Sequence, residues 1–475
     1  SESGVVGLEA DGKPENEKML VRWKVIFSDR TVESWREPSL FLAFTAYYEE
    51  KKREGMADVC MVSGERMPLA SQHPKGIISM NGNAKLVSAN DTSGFTYRGR
   101  FEDDLQALTI SYEVSQKAHN VLRWLADDQG VPVFYGGRTF LCWNPHGKKV
   151  LQPVCPLMNV QPSDTAYVEA SDYQEELRRT LNGFQTELPD TEQVIIAAFD
   201  AATTGRLAVT YYNELRGSDY LQRLYDWDRE CCWYRGRYGI QSPLLIQIVS
   251  NAFGVQRTEK NRTRMTADDR VVRQQMQRLI ACRIEKKEIP GDIVQALVNH
   301  ASFPQAYEEG VWRGIVFTAC AVLNKNYSNK KNAKGKGVVN MGWPLDEMDR
   351  SFQYGRLLAV MERAEQDYYY QSGDTGGDGS TRMTTAIKRL SNFRQQPLTT
   401  SEGIRRHLFE AYIPRLRRPA RVRYEKLTGE IMEKIAQFPE GEIDKPLDAI
   451  YLLGYDLQRN AFFKNRKQED DGEEE

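Results

Sequence analysis

The chain has 475 residues, of which 40% are hydrophobic and 27% charged, and a formal net charge of −2. That balance describes a soluble globular protein of two to four domains and excludes a global polyelectrolyte, so any nucleic-acid contact must come from a local patch. No run of about 18 apolar residues is present, which excludes a membrane-spanning helix. The seven cysteines form no CxxC pair and read as reduced thiols, with Cys231 and Cys232 together in a helix as small buried hydrophobes.

In chain order, the polar start SESGVVGLEADGKPENEK reads as the remainder of a longer protein. Met19 to Phe27 alternates as a strand, and Ser39 to Lys52 has the spacing of an amphipathic helix. Short strands and turns follow from Cys60 to Arg100. Ser111 to Asp127 predicts a helix whose buried stripe is Ala118, Val121, Leu122 and Leu125. Val131 to Trp143 predicts a hairpin closed at Tyr135–Arg138, with Phe140 and Trp143 inward. The proline-containing stretch Leu151 to Asp164 reads as a connector. Val194 to Ala198 and Leu207 to Tyr212 predict a second hairpin.

The pattern then turns helical: Tyr220 to Tyr234, Leu244 to Phe253, Arg270 to Lys286, Gly291 to Ala301 and Gly310 to Leu323. Lys325 to Gly337, basic and glycine-punctuated, reads as a linker. Beyond it Met348 to Gln371, Thr381 to Arg394, Ser401 to Ile413, Val422 to Gln437 and Asp444 to Lys464 predict a helix bundle, with helix starts near Ser401–Gly403 and Lys445–Pro446. The fold class is α+β: a mixed strand and helix N-terminal module over 1–155, a mixed to mainly helical centre over 156–335, a C-terminal helix bundle over 336–467, and an acidic disordered tail over 468–475.

Two segments carry candidate binding chemistry. The run from Lys85 to Arg100 gathers Ser88, Asn90, Asp91, Thr92 and Ser93, then sets Tyr97 beside Arg98 and Arg100. Amides and hydroxyls suit base edges, and arginines suit phosphates. On the helix that follows, Gln116, Lys117, Asn120 and Arg123 offer a polar, cationic face. A solvated loop and helix surface is the plain alternative. The second segment is the bundle. From 380 to 467 it carries eighteen cations against ten carboxylates. Arg415, Arg417, Arg418, Arg421 and Arg423 crowd into PRLRRPARVRY, with Lys388, Arg389, Arg405 and Arg406 upstream. Such a patch would guide a single strand with salt-sensitive affinity.

Catalytic constellations are weak by comparison. His73, His119, His146, His300 and His407 form no metal-binding spacing, and there is no Walker loop or GxSxG elbow. His119, beside Lys117, Asn120 and Arg123, reads as a surface residue. A metal-dependent nuclease using His73, His119 or Glu102, Asp103 and Asp104 is the rival reading, and a pure assembly scaffold is another. No cofactor or metal is expected.

Several stretches resemble the large subunit of the type I-C (Dvulg subtype) CRISPR interference complex, Cascade. They are WREP to FTAYY (Trp35 to Tyr48), CMVSGERMPLASQHPKG (Cys60 to Gly76), residues 84–101, SYEVSQKAHNVLRWL (Ser111 to Leu125), TGRLAVTYYNEL (Thr204 to Leu215) and LLGYDLQRNAFF (Leu452 to Phe463). The resemblance implies a non-catalytic, cytoplasmic recognition subunit. Guide RNA (crRNA) reads the target by pairing while the protein reads the protospacer-adjacent motif (PAM) in duplex DNA. It also implies strand separation, contact with the displaced strand, and a dock for a helicase-nuclease. The implied protein partners are the Cascade backbone and crRNA-end subunits and a small subunit that the C-terminal bundle resembles, with Met341 or Met348 as its internal start. Members of that family carry a substantial portion before the Trp35 region, so the resemblance implies that such a portion is missing. On this reading Lys85 to Arg100 and the Gln116 face meet the PAM side, and the bundle cations track the displaced strand.

Overall fold

The computed structural model describes residues 22–53, 55–78, 82–88, 101, 104–128, 133–135, 138–158, 169–203, 205–260, 262–333, 348–373 and 382–472. The chain divides into two compact units, Ser1–Ile77 with Asn83–Trp124, and Ile78–Gly82 with Leu125–Glu475.

The first unit is built from small pieces. Strands β1 (Lys24–Ile26) and β2 (Thr31–Glu33) pair antiparallel, as do β3 (Ala57–Val59) and β4 (Arg66–Pro68). Between them lies helix α1 (Pro38–Arg53), with Pro38 at its first position, where a missing N–H costs nothing. The expected amphipathic face of α1 is not covered: Phe41, Leu42 and Phe44 are all more than half exposed. Helix α2 (Asp104–Ala107) precedes α3 (Tyr112–Asp128).

The second unit centres on a four-stranded antiparallel sheet, in the order β5 (Val133–Tyr135), β6 (Arg138–Trp143), β7 (Gln193–Thr203), β8 (Arg206–Arg216). Both expected hairpins form, closed at Tyr135↔Arg138 and Thr203↔Arg206, and they join into one sheet through Phe140↔Ala198 and Cys142↔Ile196. Strands on either side of residue 155 therefore pair with one another. Phe140 is buried as expected, whereas Trp143 is half-buried. Residues three apart on a strand point to opposite faces.

Helices α4 (Ala170–Glu187) and α5 (Gly217–Glu230) bring Tyr173, Leu177, Leu181, Tyr220 and Leu224 into the core that this sheet face shares. Cys231 and Cys232 follow α5, outside any helix, and are fully buried before the pair β9 (Trp233–Tyr234) and β10 (Ile240–Gln241). The described part of the stretch expected as a connector, residues 151–158, is built in, and the rest lies outside the described residues. Asp228 and Arg283 form a buried ion pair at 3.0 Å. Arg283 donates to the carbonyls of Pro153 (2.8 Å) and Cys155 (2.7 Å), and Asp228 accepts the N–H of Leu157.

Next come α6 (Leu245–Phe253), the ribbon β11 (Val255–Glu259) and β12 (Arg262–Thr266), α7 (Asp269–Glu285), α8 (Gly291–Ala301) and α9 (Glu309–Ala333). The side chain of Asp268 caps α7 by accepting the N–H of Arg270. The linker expected at Lys325–Gly337 is, as far as Ala333, the last turns of α9. Its polar residues mislead because they have partners. Lys325 is buried against Glu230 (2.9 Å), and Asn324 donates to the Glu230 carbonyl. Residues 334–347, with Met341, lie outside the described residues; Met348 is half exposed.

The remaining helices are α10 (Arg350–Ser372), α11 (Thr385–Lys388), α12 (Leu390–Gln395), α13 (Pro397–Ala411), α14 (Arg418–Ile435), α15 (Glu440–Ile443) and α16 (Tyr451–Gly472). α10 starts at the Asp349 cap and ends on Gly373 in the left-handed region (φ 69°). α13 begins at Pro397, four residues before the expected start at Ser401. Asp444, expected to open the last helix, instead caps α13 by accepting from the Leu398 and Thr399 N–H groups and the Thr399 hydroxyl. The last helix begins at Tyr451 and continues to Gly472, through most of the tail expected to be disordered.

α10 and α16 touch backbone to backbone. A Cβ on Gly355 would sit 1.9 Å from the Tyr451 carbonyl oxygen, and one on Gly454 2.1 Å from that of Phe352. At this depth charges need partners. Arg313 of α9 donates to Glu362 (2.7 Å) and to the Tyr455 hydroxyl (2.7 Å), which in turn donates to Glu362 (2.6 Å). Trp233 Nε1 donates to Asp456 (2.8 Å), and the Ser302 and Tyr451 hydroxyls share a hydrogen bond. α16 is thus locked to elements far earlier in the chain.

Burial alone would push the Glu362 carboxyl up, but Arg313 and Arg459 outweigh it and hold the group below the ordinary glutamate range. The stabilisation is complete above the unfolded value and disappears as pH falls through the lower folded value. Glu362→Gln is expected to cost about 3–5 kcal/mol at neutral pH. Urea unfolding across pH should show the parent losing stability below about pH 4 while the variant changes less over that window.

Candidate nucleic-acid interface

In the first unit the loop expected to meet DNA has a described base. Lys85 forms an isolated antiparallel bridge with Lys75, and the Gly76 N–H donates to the Ala84 carbonyl (3.2 Å). Lys85 and Ser88 are half-buried. Asn90, Asp91, Thr92, Ser93, Tyr97, Arg98 and Arg100 lie outside the described residues.

Helix α3 braces this base. Arg123 donates to the carbonyl of Lys75 (3.2 Å), the residue that bridges to Lys85. Gln116 is half-buried, Asn120 exposed, and Lys117 forms an ion pair with Glu113 one turn back. The buried stripe of α3 differs from the expectation. Leu122 and Leu125 are buried, but Ala118 is exposed and Val121 is 53% exposed. Ser111, Ser115 and His119 take the inner positions instead. Polar residues occupy that stripe because each has a local partner. The Ser111 N–H donates to Cys60 Sγ, Ser115 meets His73 Nδ1 at 2.8 Å, and His119 Nδ1 lies 2.6 Å from the Ser115 carbonyl. His119 is therefore a buried residue, not a surface one.

The two histidines of the nuclease reading thus share Ser115, with ring centres 6.1 Å apart. Burial, then the neighbours His119 and Lys85, keeps His73 below the ordinary histidine range. Glu102 and Asp103 lie outside the described residues. Among the described residues no group of three histidine, cysteine or acidic side chains is placed to hold a metal, and no helix is long and apolar enough to cross a membrane.

In the second unit the bundle cations separate into two kinds. Arg423 is half-buried, stacked over Tyr424 (5.1 Å) and Phe462 (5.9 Å), and lies 3.7 Å from Asp367. Arg405 is half-buried, and Arg421 pairs with Glu425 at 3.5 Å. Arg415, Arg417 and Arg418 are exposed where the chain enters α14. Their backbone is fixed by Gln371, which donates to the Arg415 carbonyl (3.0 Å) and accepts the Arg417 N–H (3.2 Å). Arg417 and Arg418 have no carboxylate partner among the described residues. They sit at the positive end of a helix dipole, where cations are disfavoured and an anion is welcome. Lys388, Arg389 and Arg406 are also exposed. Arg389 reaches over Gly403 of α13, so it shares a neighbourhood with Arg405 and Arg406.

One set of cations is missed by the sequence reading: Arg257, Lys260, Arg262 and Arg264 on the β11–β12 ribbon. The available signal is four cations alternating with polar residues around Lys260-Asn261.

Arg423→Ala is expected to lower the thermal midpoint, a loss of about 1–2 kcal/mol. Arg418→Ala is expected to stay within about 0.5 kcal/mol of the parent. Thermal unfolding followed by circular dichroism separates the two.

Compared with known proteins, residues 6–463 match the family model described as CRISPR-associated protein (Cas_Csd1). No curated protein matches the chain.

Proposed function

Since the chain belongs to the Cas_Csd1 family of CRISPR-associated proteins, we propose that it is the large subunit of a type I-C Cascade, an RNA-guided complex that recognises DNA and leaves cleavage to another protein. Guide RNA reads the target by pairing, and this subunit reads the short PAM in duplex form. Lys85 to Arg100 makes the PAM-side contacts. α3 braces the described base of the loop through Arg123, and Lys117 and Asn120 on the same helix are exposed. The exposed bundle cations hold the displaced strand, which favours R-loop formation in the cytoplasm. The Cascade backbone, crRNA-end and small subunits are its neighbours, and a helicase-nuclease docks on it.

The observation that carries this reading is the placement of Arg417 and Arg418. Both are exposed, clustered against a helix dipole, and unmatched by carboxylates among the described residues. Arginine forks suit phosphate oxygens. No catalytic step is assigned. His73 and His119 are both engaged with Ser115, and His119 is buried.

The test uses the assembled complex and a PAM-containing target. Arg417→Ala with Arg418→Ala is expected to weaken binding and to make the dependence of log K on log salt shallower by about 1.4, for two lost contacts to a single strand. An unchanged slope would contradict the displaced-strand role.

A further inference from the structure

Among the described residues the strands of the ribbon β11–β12 pair only with each other. Its register sets Val255 opposite Thr266, Arg257 opposite Arg264, and Glu259 opposite Arg262. These residues share one face, and Gln256, Thr258, Thr263 and Met265 share the other. The second face turns to the body of the unit. Met265 is buried, and Gln256 and Thr263 both hydrogen-bond Glu308. The first face is outward, with Arg257, Arg262 and Arg264 exposed and Lys260 at the turn in the left-handed region (φ 48°).

Two arginines directly opposite each other on a ribbon repel. Glu259 is the one carboxylate on that face, and it pairs with Arg264 at 3.0 Å. Arg257 and Arg262 have no carboxylate partner among the described residues. Glu259 thus matches Arg264, and Arg257 and Arg262 leave an excess of positive charge on the face that an external anion would neutralise.

At the foot of the ribbon lies a groove of about 540 Å³. Arg235, Arg264, Gln247 and Ser250 line it, with a single carboxylate, Asp269. The Arg235 guanidinium is held over the rings of Phe317 (5.5 Å) and Tyr238 (5.6 Å), and it donates to Gln241 Oε1 (2.9 Å), which fixes its plane at the groove. Arg262 and Arg264 are two residues apart on one strand, roughly 7 Å, of the order of the spacing between successive phosphates on an extended strand.

We propose that the outward face of the β11–β12 ribbon and the groove at its foot form a second nucleic-acid site, which takes a sugar-phosphate backbone across Arg257, Arg262 and Arg264. The site rests on the nucleic-acid reading above but uses none of the residues that reading employs. Guide RNA and target DNA present the same phosphate chemistry, so the experiment has an arm for each.

Arg257→Glu with Arg262→Glu is made in the full chain and assembled into the complex. One arm measures the amount of guide RNA retained per complex, and the other measures binding of labelled target duplex over a salt series. The expected result is about tenfold weaker target binding near 150 mM salt with a shallower slope, or a comparable loss of retained guide RNA. The arm that changes names the strand. Arg257→Ala with Arg262→Ala, judged against the parent's thermal midpoint, replaces the reversal if that variant folds poorly. Both arms unchanged, with the parent complex binding normally, would overturn the ribbon site and leave the proposed function standing. A parent complex that binds no target at all would overturn both.

Discussion

The contact on which the second unit depends is the meeting of α10 and α16 at Gly355 and Gly454. Two backbones that touch leave no room for a side chain between them. α10 is consequently enclosed over most of its length, and most of the polar groups it buries take partners inside the protein. Arg356 donates to Gln353 and Gln458, Glu362 gathers Arg313 and Tyr455, and Glu365 accepts from Tyr369 and Thr385. The same crossing fixes where α14 and α13 pack, and so where the bundle's surface cations emerge.

From this constraint follow two populations of arginine. Arg283, Arg313, Arg356 and Arg138 hold the fold together: each reaches a carboxylate, an amide or backbone carbonyls inside the unit. Arg423 belongs with them, wedged between aromatic rings and Asp367. Arg415, Arg417, Arg418, Arg257 and Arg262 are exposed, and several of them sit where the local field is already positive. A protein with a net charge of −2 can still bind a polyanion when its cations are sorted in this way.

Most helices were legible because their apolar periodicity is imposed by one buried face, as in α5 and α8. Both hairpins could be read from alternation and turn residues, though their union into one sheet could not, since pairing between distant strands leaves no local pattern. The errors share a cause: polar residues were counted as surface. Lys325 and the polar residues after it made the end of α9 look like a linker, His119 and Ser115 shifted the stripe of α3, and the Asp228–Arg283 pair hid how firmly Pro153 to Leu157 is held. Of the candidate site, the arginine cluster at the start of α14 was legible from composition, but which of its members were engaged was not. Arg421 and Arg423 differ from Arg417 and Arg418 only in what lies beside them. The β11–β12 ribbon was overlooked because Met265 is its one buried apolar residue, too little to show a period.

The central claim is that the cations left unengaged by the fold meet nucleic acid. The most direct measurement is the structure of the assembled complex on target DNA. The account predicts the Arg417 and Arg418 guanidiniums within about 3 Å of phosphate oxygens, with Lys85 to Arg100 against the PAM-proximal duplex. Finding these arginines against protein carboxylates of a neighbouring subunit, with the DNA elsewhere, would contradict it.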